Sequence, residues 1–386
     1  MRGSTAGLAD TLASGSRAHQ ALLEVADLLF ASIVVAPAVV SYWKSTWSLM
    51  DLYVVPDDPV SSAAACAIFG LLCDLFLCVF QSKLGKFLTP EHGWLTYYVL
   101  SRVYTYVAGV ACVGAWRGVW NLLNECTGDS ARTLLSTTGA ATLSLAALRA
   151  LRNISAAPFA VAVDGPQDYF DVPTMVGDPG FGPSQSMALY VLDCIFSVTV
   201  VGSLVVFVWR GSWALLDIFL YPDDQVRSFW TSLVGGYVVV LVTFALQIPM
   251  RWAAARLHGA PRLLLVDVYH LMSFVATVNV WRGVWGLLDV YYFPDRPKFS
   301  NWSIHIISLT LLILLNCSNS ILVRGVYIDA EEPAGDCVVF PCHYLRLFFH
   351  KERTKKRHSR VLAAAALAAA RKTEEASMLQ TPEEKV

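Results

Sequence analysis

Eight stretches of this chain are apolar over roughly the length that a helix needs to cross a lipid bilayer. They cover residues 22–43, 60–81, 95–116, 134–151, 187–209, 228–248, 263–281 and 304–322. A hydrocarbon core of about 30 Å takes roughly 20 residues of helix. The whole chain is 55% hydrophobic and only 15% charged, where soluble domains carry about a quarter charged residues. The pattern predicts an all-α, polytopic membrane helical bundle with about eight transmembrane helices. A net charge of −1 gives no reason to expect a nucleic-acid partner.

Loop charge sets the orientation. Arg2 and Arg17, Lys83 and Lys86, Arg149 and Arg152, then Arg251, Arg256 and Arg262 fall on one side, and the tail beyond Leu322 adds eleven more basic residues. The opposite loops hold eight, beside the acidic turns at Asp57-Asp58, Asp223-Asp224 and Asp295. By the positive-inside rule both termini are cytoplasmic.

One pattern recurs four times: Trp, a basic residue, a small residue, any residue, Trp, and Asp or Asn four positions later. The copies are Trp43-Lys44-Ser45-x-Trp47 with Asp51, Trp116-Arg117-Gly118-x-Trp120 with Asn124, Trp209-Arg210-Gly211-x-Trp213 with Asp217, and Trp281-Arg282-Gly283-x-Trp285 with Asp289. The first and third copies are offset by 166 residues, and the second and fourth by 165. The chain therefore reads as a duplicated four-span unit. An even number of spans per unit makes the two repeats parallel, related by an axis along the membrane normal. The organisation expected is a cytoplasmic N-terminus (1–21), a first four-span repeat (22–151), a cytoplasmic linker (152–186), a second repeat (187–322) and a basic cytoplasmic tail (323–386).

Residues four apart share a helix face, so each motif presents two tryptophans and an acid or amide in line. An interfacial anchor would use Trp in the aromatic belt and snorkelling basic groups. A shared polar network would instead pair basic and acidic residues between helices, for example Arg210 with Asp289, and Arg282 with Asp51 or Asp217. The glycine would let helices approach closely. Capture of a lipid headgroup or ligand is a third reading.

Ionisable groups inside spans are costly and point to function by default. Asp74, Arg102, Asp267 and His270 form the candidate intramembrane polar site, with Arg102 and Asp267 at equivalent places in the two halves. Asp27 and Asp193 lie closer to the cytoplasmic interface and read as solvated helix starts. Phosphate-binding loops, metal-ligand spacings and nucleophile elbows are missing, so the chain reads as no enzyme, with no cofactor and no metal. The linker, rich in Gly, Pro and Asp, reads as a solvated loop. The mixed basic and apolar tail around residues 343–360 suits acidic lipid or a calmodulin-like partner, and Cys337 and Cys342 are candidate palmitoylation sites.

The repeated Trp-Arg-Gly-x-Trp-x-Leu-Leu-Asp signature on eight spans with cytoplasmic ends resembles the Fuseless family over roughly residues 22–325. The first copy departs from it at Lys44 and Ser45, and the second ends in Asn124. The resemblance implies a presynaptic plasma-membrane protein that organises active zones, localises voltage-gated calcium channels, acts with active-zone scaffold proteins and supports synaptic transmission. A transporter or channel-like protein using the intramembrane Asp and Arg residues is the competing reading.

Overall fold

The computed structural model describes residues 17–166, 168–177, 185–333 and 335–349. Among these, every regular element is helical. The main helices are α1 (Arg17–Phe30), α2 (Ala36–Tyr53), α3 (Pro59–Phe87), α4 (Trp94–Thr127), α5 (Ala131–Ala147), α6 (Gln185–Ile195), α7 (Gly202–Phe219), α8 (Gln225–Arg256), α9 (Gly259–Tyr291) and α10 (Pro297–Leu314). Short π-helical stretches, Ala31–Val35 and Phe196–Val201, connect α1 to α2 and α6 to α7 at matching places in the two halves.

Among the described residues six helices are long and apolar enough to cross a membrane: His19–Tyr53, Pro59–Phe87, Trp94–Thr127, Met187–Phe219, Gln225–Arg256 and Gly259–Tyr291. The other two expected spans, in α5 and α10, are not among them. At 1.5 Å per residue α5 and α10 reach only about 26 and 27 Å, short of a core of roughly 30 Å. The outer faces of the long helices carry exposed apolar side chains, such as Ile68, Leu72 and Phe76 on α3 and Val234, Val238 and Leu241 on α8. Such surfaces belong in lipid.

Each motif-bearing helix ends the same way. The residues before the three loop prolines, Val55, Tyr221 and Phe293, adopt positive φ (45°, 50° and 48°), and Gly128 (φ 68°) stops α4. The break therefore lies one residue before each proline rather than at it. Asp58 and Asp224 then cap the next helix, accepting from the backbone N–H groups of Val60 and Ser61, and of Arg227. Hydrogen bonds from Ser61 hold the Asp58 carboxyl below the ordinary carboxylate range.

The bundle is cyclic. α3 packs on α4, α5 on α7 and α8 on α9, while α10, the last helix, packs on α2, near the start of the chain. The motif glycines sit at these contacts: a Cβ on Gly118 would lie 2.3 Å from the Ala67 backbone nitrogen in α3, and one on Gly283 would lie 2.7 Å from that of Leu233 in α8.

The linker differs most from its solvated reading. Leu151, Ile154, Phe159, Val161 and Phe170 are all buried, and so is Asp164. A buried irregular segment must find partners for its backbone groups, and the aspartates supply them. Asp164 accepts from the backbone N–H groups of Ser318 and Asn319 (2.8 and 2.9 Å). Asp329 accepts from those of Leu151 and Arg152 (2.7 and 2.8 Å). The segments that follow α5 and α10 are thus cross-laced, each capped by the other's aspartate. Burial, the larger influence, raises the Asp329 pKa although both backbone donors oppose it.

The described residues divide into two units, one within 28–342 and the other made of 17–27 with 343–349. Within the second, Asp27 accepts from the backbone N–H of Leu345 and from Arg346 (2.7 Å). Burial first, and Arg346 second, push the His343 pKa down to about 3. Most of the basic stretch read as a lipid or calmodulin site, from residue 350 onward, lies outside the described residues.

Candidate functional site: a closed ring of four motif copies

The four motif copies lie side by side, and each basic residue grips the helix end of the copy before it. Arg117 donates to Asp51 (2.8 Å) and to the Ser62 hydroxyl (2.9 Å). Arg282 donates to Asp217 (2.8 Å), the Ser228 hydroxyl (2.7 Å) and the Ser232 hydroxyl (2.7 Å). Arg210 donates to the Asn124 amide oxygen (2.6 Å), the Thr127 hydroxyl (3.0 Å), the Gly128 carbonyl and Asp129 (2.8 Å). Lys44, in the first copy, closes the circle on the last, meeting Asp289 at 2.8 Å and the Asn301 amide oxygen at 2.9 Å.

Every clamp therefore ties three elements: the helix carrying the base, the end of the previous motif helix, and the connection or helix that follows it. The bases are buried, with 2–4% of each side chain exposed, while Asp51, Asp217 and Asp289 are about half exposed. Such a setting is unlike a snorkelling anchor, whose charge reaches headgroups. Arg210 meets Asn124 and Asp129 where Asp289 was the suggested partner, because the ring runs in chain order and Asp289 lies next to Lys44.

The tryptophans form two rings. Trp43, Trp116, Trp209 and Trp281 contact one another in a closed cycle with centroids 5.2–5.8 Å apart. Trp47, Trp120, Trp213 and Trp285 make a second cycle at 5.7–6.1 Å. All eight contacts are edge-to-face, the arrangement favoured by the aromatic quadrupole. The first ring is tied to the buried segments beneath it: Trp43, Trp209 and Trp281 donate their indole N–H groups to the carbonyls of Ile321, Ile154 and Ala157, each at 2.9 Å. A cavity of about 230 Å³ is lined by the eight indoles, with Asn121 on its wall and residues 153–156 also facing it.

The intramembrane charges do not form one site. Arg102 pairs with Asp164 (3.4 Å) and donates to Tyr169 and Asn316 (2.9 Å each). Asp267 lies in the corresponding place of the other half, near Asp329, and the His270 ring packs edge-to-face against Phe340. Asp74 lines a separate cavity of about 90 Å³, also bordered by Arg324, Tyr104 and Trp116. Asp193, read as solvated, is buried and accepts from the backbone N–H of Val176. Cys337 and Cys342 are buried too, at 1% and 3% exposure. Among the described residues no cluster of His, Cys, Asp or Glu could hold a metal ion.

Several clamp residues escaped sequence reasoning: Ser62, Ser228, Ser232, Asn301, Thr127 and Asp129. A signal existed for two of them. Ser62 and Ser228 each stand four residues after a helix-capping aspartate, Asp58 or Asp224, and Ser300 stands four after Arg296.

Searches of curated proteins and of solved structures return no match. The family model described as Fuseless matches residues 22–322, the span that holds all four motif copies and both tryptophan rings. The chain is a member of the Fuseless family.

Proposed function

We propose that this protein is a non-enzymatic membrane organiser that acts at presynaptic active zones, where it helps to localise voltage-gated calcium channels and so supports synaptic transmission. The observation that carries the reading is the closure of the bundle. Acid–base clamps fasten one end of the inner helices, and the folded-in segments after α5 and α10 fill the space below the tryptophans. A body braced in this way suits a scaffold that presents fixed loops and a tail. Voltage-gated calcium channels and active-zone scaffold proteins are the partners proposed, with acidic lipid or calmodulin at the tail.

In this reading α5 and α10 also span, giving eight helices in two parallel four-helix repeats within the plasma membrane, with both termini cytoplasmic. Labelling of single cysteines placed at Asp57 and Lys86 in intact cells checks the orientation. Asp57 should react from outside and Lys86 only after permeabilisation; reaction of both from one side contradicts it.

The Asp74 cavity favours a second reading, in which the protein transports a small solute or ion. Neurons lacking the protein separate the two. Loss of calcium channels from release sites, restored equally by the wild type and by Asp74→Asn, is the organiser's result. Unchanged channel density overturns that reading, and failure of Asp74→Asn alone to rescue favours transport.

A further inference from the structure

We propose that the tryptophan-lined cavity is an aromatic cage that binds an organic cation bearing a quaternary ammonium group. Eight indoles face one space of about 230 Å³, and the indole face carries the negative lobe of the ring quadrupole. In the outer cycle neighbouring centroids are 5.7–6.1 Å apart. A cation on the axis of a square ring of that size sits about 4 Å from each centroid, inside the roughly 6 Å reach of a cation–π contact.

Carboxylates stand close to the cage. One helical turn beyond the outer tryptophans stand Asp51, Asp217 and Asp289, each about half exposed, while Lys44, Arg117 and Arg282 that pair with them are buried. In each of these three clamps the acid is the member that reaches solvent. Within the cage no side chain is ionisable, so nothing there would neutralise an anion. The Asn121 amide and the outer-ring indoles of Trp47, Trp120, Trp213 and Trp285 also line the cavity. These groups can meet the polar end of a choline-like ligand. The inner-ring donors are already spent on the carbonyls of Ile154, Ala157 and Ile321.

A trimethylammonium group can arrive as a free solute or as a lipid headgroup. The test uses the full chain in nanodiscs of phosphatidylglycerol and phosphatidylethanolamine, with tryptophan fluorescence read as choline is added. A saturable change is expected, and 3,3-dimethylbutanol, the uncharged isostere of choline, should bind at least about tenfold more weakly. In discs that contain phosphatidylcholine, an unchanged choline response assigns the site to a free solute, and a suppressed one to the headgroup. Trp120→Phe, which keeps a ring with a weaker quadrupole, should weaken choline binding, and Trp120→Leu should weaken it further. No saturable response in the wild type overturns the proposal. Equal binding of the uncharged isostere also overturns it, because the cavity would then be merely apolar, and neither result depends on a variant folding.

Discussion

Replacing Asp329 by alanine should cost about 3–5 kcal/mol and leave little folded protein in detergent. The carboxylate is fully buried and holds the backbone N–H groups of Leu151 and Arg152. Each donor left unpaired in the interior costs about 1–3 kcal/mol. The damage would spread further, because those two residues lead into Ile154, whose carbonyl anchors Trp209. Asp164→Ala should behave alike through Ser318 and Asn319, and through the loss of a partner for Arg102. Fluorescence-detected size-exclusion chromatography across a heating series reads the effect. A midpoint within a few degrees of wild type for both variants would mean that these segments are not cross-laced as described.

Arg282→Ala should be the next most damaging change, at about 2–4 kcal/mol. It leaves the Ser228 and Ser232 hydroxyls with a lost partner and Asp217 with no counter-charge. Asp217 is half exposed and can recover some hydration, which keeps the figure below that of a fully buried pair. Arg282→Lys should recover only part of the loss, since an ammonium cannot span an acid and two hydroxyls as a planar fork does. Lys44 shows the consequence within the same protein: it meets two acceptor atoms, on Asp289 and Asn301, where Arg282 meets four, on Asp217, Ser228 and Ser232. Lys44→Ala should accordingly cost less than Arg282→Ala, and the same heating series compares them. An equal or greater loss at Lys44 would contradict the ranking.

The membrane nature of the chain was legible because lipid imposes a length and a polarity on each span. The motif was legible because it occurs four times at fixed offsets. Cyclic order was not, since nothing in the sequence of α10 says that it returns to α2. The expected Arg210–Asp289 contact failed for that reason: residue spacing identifies the members of a ring but not who stands beside whom.

The linker was misread for a different physical cause. Gly, Pro and Asp mark a solvated loop, and they equally mark a buried irregular segment whose backbone needs side-chain acceptors. Asp164 and Asp329 lie 165 residues apart, close to the motif offset. That interval was the trace of their shared role. Asp27 and Asp193, also 166 apart, likewise hold backbone N–H groups, those of Leu345 and Val176.

The central claim is that the four copies close into one ring, and the contact between Lys44 and Asp289 tests it most directly. These residues are 245 positions apart and belong to the first and last motif helices, so only a closed circle joins them. A double-mutant cycle on thermal stability, using Lys44→Ala, Asp289→Ala and the pair, measures the coupling. The account predicts that the double variant is scarcely worse than the worse single one, with a coupling of about 1 kcal/mol or more. Losses that simply add would contradict it and leave the ring open between its first and last members.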